Sequence, residues 1–270
     1  MMRYVGRDIY NHEQSHWWFV GRRKIVFSIL DKYLPVVKGQ LRLLDVGCGT
    51  GFNLARLDKY GHATGVDISE EAVKFSRLRN CKDVLKIDKG DLPFNNNTFN
   101  VVTVLDVIEH IDDDYAALSD YYRVMKDKGV LLITVPAYRF LWGAHDVAVD
   151  HRRRYVARDL KNKVEKAGFA VKRLTYFETF FFPFVLLSRI KEEFAKNVAD
   201  NSSPVIRIKD CPYFVNKLLG FIFSLEARFL EGFDFKYGVL LLCVARKSTM
   251  KTDIVVQKKR KKIIPSKEKL

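Results

Sequence analysis

The chain has 270 residues, 48% hydrophobic and 29% charged, which supports one large domain with an appendage or two small ones and excludes a disordered or fibrous chain. Its four cysteines (Cys48, Cys81, Cys211, Cys243) form no C-x-x-C pair, so neither a zinc site nor a disulfide framework is indicated, and a reducing, cytoplasmic setting is expected. The net charge of +15 is uneven: Arg246 to Leu270 holds ten Lys or Arg against two acids, a composition that suits a solubilising tail as well as nucleic acid or anionic lipid.

The polar N-terminus lacks the apolar core of a signal peptide, and no run reaches the roughly 18 apolar residues of a membrane span. The first informative stretch is Ser15 to Lys24. Trp17 and Trp18 beside His16, Arg22 and Arg23 fit no simple amphipathic face, and read either as a packing anchor or as a lid over a ligand. The helix carrying them is expected to stop near Tyr33, before Pro35. Leu41 to Val46 then predicts a buried parallel strand, followed by Gly47-Cys48-Gly49-Thr50-Gly51 and a helix over Phe52 to Tyr60. Strand, glycine turn and helix bring backbone close to a ligand at the carboxyl end of a sheet strand. The spacing is G-x-G-x-G rather than the G-x-G-x-x-G of a dinucleotide loop, and Asp45 precedes it. A carboxylate there would repel a phosphate, but it suits a ligand carrying an ammonium and a sulfonium, such as S-adenosylmethionine.

Strands and helices then alternate, the pattern of a parallel doubly wound sheet. The second strand, His62 to Ile68, contains Asp67, 18 residues after Gly49 and close to the spacing at which an acid accepts ribose hydroxyls. Ser69 is expected to cap the next helix, with Glu70 and Glu71 in its first turn. A third strand at about Val84 to Ile87 precedes Gly90-Asp91-Leu92-Pro93-Phe94. There Asp91 reads as an acceptor for an adenine amino group with Leu92 packing on the ring, or simply as a turn residue beside Gly90. The fourth strand, Val101 to Leu105, is nearly all apolar and so buried on both faces; it leads into Asp106-Val107-Ile108-Glu109-His110. A helix from about Asp112 to Lys126 and a fifth strand over Val130 to Val135 follow.

In order and spacing, Asp45 to Gly51, Asp67, Gly90 to Phe94, Glu109-His110 and Gly129 to Pro136 resemble the motifs of the class I S-adenosylmethionine-dependent methyltransferases. One departure is Lys126-Asp127-Lys128-Gly129, where the family often has Lys-Pro-Gly-Gly; that turn is far from the chemistry. A narrower likeness covers the flanks. His16-Trp17-Trp18-Phe19 with Arg22-Arg23, Val135 to Tyr138, Trp142, Ala144-His145-Asp146 and His151 to Tyr155 resemble a microbial subgroup of these enzymes. The resemblance implies an α/β fold with a doubly wound, seven-stranded Rossmann-like sheet. It also implies S-adenosylmethionine bound by Asp45, Gly47, Cys48, Gly49, Gly51, Asp67, Ile68, Asp91, Leu92 and Asp106, with S-adenosylhomocysteine as product.

Residues 137–156 follow a core strand, where substrate contacts collect in open α/β sheets. Tyr138, Trp142, Arg152, Arg153, Arg154 and Tyr155, with Trp17 and Trp18, are the candidate substrate contacts. Three consecutive arginines can recognise phosphate or carboxylate, or pair with the protein's own acids. Methyl transfer from a sulfonium is an in-line displacement that needs positioning and exclusion of water, and requires no metal. A hydroxyl acceptor would benefit from a base; His110, His145 and His151 are the candidates, with Asp146 placed to orient one of them. A helix over Ala157 to Ala167 is expected to end at Gly168, and strand six covers Ala170 to Tyr176. The last strand, Tyr237 to Ala245, pairs antiparallel at the sheet edge in the family. The link of about 60 residues between them carries apolar segments at 180–194 and 213–230, joined by Asn201-Ser202-Ser203-Pro204. These segments are expected to form two helices over the substrate mouth, serving as a small core, a dimer face, a membrane-surface patch or an apolar pocket for a lipid-like tail.

The expected organisation is an N-terminal helical cap (1–40), a methyltransferase domain (41–247) with a helical insertion at about 178–235, and a basic, disordered tail (248–270). The expected activity is methyl transfer to a small or lipid-linked acceptor bearing an anionic group, with O-methylation of a glycosyl or related hydroxyl preferred. Peripheral membrane contact and a homodimer stay open. An RNA methyltransferase is the first rival, weakened by the lack of a recognisable RNA-binding module. The second is a non-catalytic scaffold that retains the fold.

Overall fold

A computed structural model describes residues 6–34, 39–88, 91–195, 208 and 210–248. Its strands are β1 (Leu41–Val46), β2 (Gly61–Asp67), β3 (Val84–Lys86), β4 (Phe99–Leu105), β5 (Met125–Pro136), β6 (Phe169–Phe177) and β7 (Leu240–Lys247). They form one seven-stranded sheet in the order β3-β2-β1-β4-β5-β7-β6. Pairing is parallel from β3 to β5, and β7 runs antiparallel to both β5 and β6. The expected doubly wound sheet, with the last two strands forming an antiparallel pair at its edge, is therefore present.

The helices are α1 (Gly6–His12), α2 (Trp17–Tyr33), α3 (Phe52–Leu57), α4 (Glu70–Leu78), α5 (Asp114–Val124), α6 (Ala144–Ala148), α7 (Ala157–Lys166), α8 (Phe182–Ala195) and α9 (Tyr213–Phe229). Successive strand residues point to opposite faces, so apolar runs such as Leu43-Leu44 and Leu131-Leu132 supply two cores at once. Leu43, Val101 and Leu132 meet Ile25, Leu54, Val73 and Phe223 from α2, α3, α4 and α9. Leu44, Val102 and Leu131 meet Leu118, Val124, Leu160 and Val164 from α5 and α7. Ser69 caps α4 by accepting from Ala72 N at 3.2 Å, as its position suggests.

Several boundaries shift by a few residues from the sequence reading, and three of the shifts have a plain structural reason. α5 starts at Asp114, with Asp113 as its cap accepting from Ala116 N at 2.9 Å. β5 begins at Met125 because Phe99 pairs with it across a register shift in β4. β7 begins at Leu240, opposite Phe177, because β6 ends there and offers no further partner.

The two insertion helices do not form a unit of their own. α9 lies along α2, where Gly21 permits the approach: a Cβ at that position would collide with the Phe223 ring. α8 sits against the turn Arg139–Leu141, and Arg189 Nε donates to Leu141 O at 3.0 Å. Cap and insertion thus share one packed layer. Among the described residues, no helix is long and apolar enough to cross a membrane. The basic tract Lys258 to Lys262, the Asn201 to Pro204 stretch, Pro35 and Gly90 lie outside the described residues.

Candidate functional site

The carboxyl ends of β1, β2, β4, β5 and β6 fall on one edge of the sheet, since β5 and β6 both oppose β7. After β1, Gly47, Gly49 and Gly51 take φ of 68°, 56° and 81°. That left-handed backbone is open to glycine and costly for other residues, and a Cβ on Gly47 would also collide with Val107. Gly47 N and Cys48 N donate to Val66 O at 2.8 and 3.0 Å, which holds the loop over the end of β2. Asp67 accepts from Gly49 N at 2.9 Å and from Ser69 N at 2.8 Å, so one half-buried carboxylate ties the glycine loop to the start of α4. Ile68 beside it is 49% exposed, Asp91 is exposed and Leu92 is buried.

Asp45 and Cys48 lie beneath this surface. Asp45 is 2% exposed and accepts from Thr103 Oγ1 at 2.6 Å; burial pushes its carboxyl up to about 7. It therefore supports the loop from below and presents no free charge to a ligand. Cys48 is buried, and burial raises its thiol well above the usual range, so it fills space beside Ser76. The N-terminal segment covers the loop's outer side. Glu13 accepts from Thr50 Oγ1 and, at 2.5 Å, from Arg79 Nη2.

The next three strand ends share an unusual backbone. Asp106, Tyr138 and Glu178, following β4, β5 and β6, have φ of 56°, 55° and 60°. Non-glycine residues held there carry strain that surrounding structure must stabilise, and such strain collects at functional sites. Arg22 from α2 reaches this edge: it pairs with Asp106, places Nε 3.8 Å from Glu178 Oε1, and lies 4.4 Å over the Trp18 ring. Thr134 Oγ1 adds a bond to Asp106 at 3.1 Å, so Asp106 is engaged by the protein itself. Burial pushes Glu178 up to about 8, against the pull of Arg22. The tryptophan pair is split. Trp18 faces this cluster, whereas Trp17 is an anchor, 5.0 Å from Phe181 and 5.7 Å from Phe223. Tyr138 stacks between Phe140 at 4.9 Å and Tyr176 at 5.0 Å, and Trp142 is half-buried.

Beyond it lies a second polar group. Asp146 is fully buried and accepts from His151 Nδ1 and Arg154 Nε at 2.7 Å each, Gly143 N at 2.8 Å and Arg154 Nη2 at 3.0 Å. Burial works to raise its carboxyl, but the bonds from His151 and Arg154 win and hold it well below the usual carboxylate range. His151 then turns Nε2 toward Glu109 Oε1, 3.9 Å away. Glu109 is 0% exposed, and neither carboxylate oxygen has a hydrogen-bond partner; burial, then the Asp106 charge, raises its pKa. The His110 ring is 4.8 Å from that of His151, and His145 stands on the exposed side at 6.1 Å.

The arginine run is corrected by this geometry. Arg154 is spent on Asp146 and Ala137 O. Arg153 pairs with Asp114 at 3.0 Å and donates to Asp112 O at 2.8 Å. Arg152, 42% exposed, lies 3.4 Å from Asp112 and 3.6 Å from Asp150. Tyr155 is buried and donates to Asp114 Oδ2 at 2.8 Å. Arg153, Arg154 and Tyr155 are scaffolding, because the neighbouring acids have already claimed them. Thr103 and Glu178 were not singled out from sequence, and Arg22 and Glu109 stood there only within motifs, with no role of their own in the site. Glu109 and Glu178 carried one usable signal, an acid within a few residues of an apolar strand's end. A groove of about 420 Å³ between α2 and α9, lined by Lys24, Asp31, Arg56 and Arg228, includes none of these strand-end residues.

Comparison with known proteins agrees with this geometry. The sequence pattern of the methyltransferase domain matches residues 44–133. The ubiquinone/menaquinone biosynthesis C-methyltransferase UbiE of Ruegeria sp. is 33% identical over 136 residues, 47% of this chain and 52% of that protein. The ubiquinone biosynthesis O-methyltransferase of Xanthomonas oryzae is 28% identical over 133 residues, 44% of this chain and 56% of that protein. The chain thus spans about half the length of these curated relatives. Among solved structures, a chain of the complex between the Haloferax volcanii Trm112 methyltransferase activator and a methyltransferase superposes with a TM-score of 0.59. That match is 17% identical, covers 92% of this chain and 99% of the other, and speaks to fold alone. Sheet order, glycine loop and sequence match together make residues 44–133 a methyltransferase domain of the class I S-adenosylmethionine-dependent family.

Proposed function

We propose that the chain transfers a methyl group from S-adenosylmethionine to an oxygen nucleophile on a small apolar or lipid-linked acceptor. The observation that carries this reading is the convergence on one sheet edge of the glycine loop, Asp67 and the strained residues Asp106, Tyr138 and Glu178. Gly47, Gly49 and Gly51 give the donor close access to backbone, Asp67 takes its ribose hydroxyls, and Asp91 with Leu92 takes its adenine. Asp45 acts through the loop. The transfer itself demands alignment and a dry site, which Trp18, Arg22 and Tyr138 frame. The acceptor oxygen is assigned to the side occupied by Glu109, His110 and His151.

An apolar acceptor is supported by the outer faces of α8 and α9, where Phe184 is 71%, Phe214 84%, Leu218 60% and Phe221 60% exposed. The relatives named for ubiquinone biosynthesis are consistent with it. The expected anionic group on the acceptor loses its support, because the arginines that would bind it are paired with Asp112, Asp114, Asp146 and Asp150. The test is incubation of the purified chain with methyl-labelled S-adenosylmethionine and fractionated extract of its source cells. Label is expected in the organic phase, released by conditions that spare C-methyl groups. Label confined to RNA, or in no fraction at all, would overturn the reading.

A further inference from the structure

We propose that Glu109, His110 and His151 bind a divalent first-row transition-metal ion. One ligand atom from each residue lies within 4.8 Å of the others, and the three sit on segments locked together by Arg152 N donating to Glu109 O at 2.8 Å. The Glu109 carboxylate is 0% exposed and has no hydrogen-bond partner on either oxygen. A buried acceptor pair left in that state is costly unless something else satisfies it, and a cation does so.

The histidines are set up as ligands. His151 Nδ1 is held by Asp146 Oδ1 at 2.7 Å, which leaves Nε2 pointing at Glu109. His110 Nδ1 lies 3.3 Å from Asp150 O, which again leaves Nε2 as the free nitrogen. A ring nitrogen tied to a carboxylate or carbonyl, with the other turned inward, is how metal-binding histidines are oriented and made more basic. Asp146 is itself fixed by Arg154 and Gly143 N, so the outer support is rigid. Two imidazoles and one carboxylate suit Zn²⁺, Fe²⁺, Mn²⁺ or Co²⁺ rather than Mg²⁺ or Ca²⁺, which prefer all-oxygen shells. Three protein ligands leave positions open to an oxygen donor. An acceptor hydroxyl bound there would be acidified by the ion and lose its proton to solvent water as it binds; its oxygen then takes the methyl group as the sulfonium–methyl bond breaks and S-adenosylhomocysteine leaves, a consequence that rests on the O-methylation proposed above.

The probe is Co²⁺, added to the full chain after chelator treatment and followed by visible d–d absorption, with metal content by mass spectrometry. One ion per chain is expected, with bands characteristic of low coordination. Glu109→Gln, close in shape and uncharged, and His110→Ala, at a more accessible position, are each expected to weaken Co²⁺ binding at least tenfold. His62→Ala, remote on β2, is expected to change nothing. Circular dichroism of each variant confirms that it folds. Absence of Co²⁺ bands in the parent, or equal binding by the parent and both folded cluster variants, would overturn the site and leave Glu109 a buried neutral acid. S-adenosylhomocysteine calorimetry, run on the same samples, tests the donor reading separately.

Discussion

The two halves of the carboxyl edge are built from different materials. Around β1 and β2 the site is mostly backbone: glycines in left-handed conformation, main-chain N–H groups and a single bridging carboxylate, Asp67. After β4, β5 and β6 it is mostly buried charge: Arg22 with Asp106 and Glu178, and Asp146 with His151 and Arg154. A backbone site depends on a few residues close together in sequence. A charge network depends on partners brought together by the whole fold, so damage to it costs stability first, whereas damage to the loop costs ligand first.

The sharpest way to break that contrast is Asp146→Ala, which leaves Arg154 buried without its carboxylate. A loss of about 3–5 kcal/mol in unfolding free energy is expected by denaturant titration. A loss under about 1 kcal/mol would show that the network is incidental. Gly47→Ala comes next. The forced left-handed φ and the collision with Val107 are expected to cost about 2–3 kcal/mol and to abolish S-adenosylhomocysteine binding in calorimetry. Normal affinity in that variant would remove the loop from the donor site.

Asp67→Asn is milder. The fold is expected to hold within about 1 kcal/mol, while affinity for S-adenosylhomocysteine drops roughly tenfold, near 1.4 kcal/mol. Equal losses in both measurements would blur the division between the halves.

A pH series sharpens the charge half further. Glu226 of α9 is buried beside this half, where it accepts from Thr179 N, next to Glu178, at 2.9 Å, and burial raises its carboxyl from the ordinary 4.5 to about 7. The folded chain keeps that proton where the unfolded chain has lost it, so the stabilisation is full below about pH 4.5 and disappears as pH rises through 7. Glu226→Gln removes this dependence. The variant's unfolding free energy, from denaturant titration at each pH, is expected to gain on the parent's between those limits, by at most about 1.4 kcal/mol per pH unit. A pH-independent difference between the two would contradict the assignment. The smallest effect is expected on the outer face of α9, where Phe214→Ser should change stability by under about 0.5 kcal/mol while reducing binding to neutral phospholipid vesicles. Unchanged vesicle binding, or none in the parent, would set the membrane-surface reading aside.

The same contrast explains what the sequence made legible. Leu41 to Gly51, Asp67 and Ser69 could be read directly, because strand, turn and cap are local matters of backbone conformation. The parallel doubly wound sheet followed from the alternation of strand-like and helical segments. The arginine run misled because Asp112, Asp114, Asp146 and Asp150 claim Arg152, Arg153 and Arg154 only once α6 and the turn before α5 come together. Trp17 and Trp18 looked like one feature, yet helical geometry sends Trp17 to Phe223 on α9 and Trp18 to Arg22. Glu178 drew no notice, and Glu109 only as part of a motif, because a glutamate's burial is invisible without its neighbours. The packing of α9 on α2 was hidden for the same reason: it turns on Gly21 meeting Phe223 across about 200 residues of chain.

The central claim is that the glycine loop and Asp67 hold S-adenosylmethionine, and isothermal calorimetry with S-adenosylhomocysteine on the full chain tests it most directly. The expected result is one molecule bound per chain, with affinity lost in Gly47→Ala and weakened in Asp67→Asn. No heat with the folded parent chain, or an affinity that neither substitution changes, would contradict it.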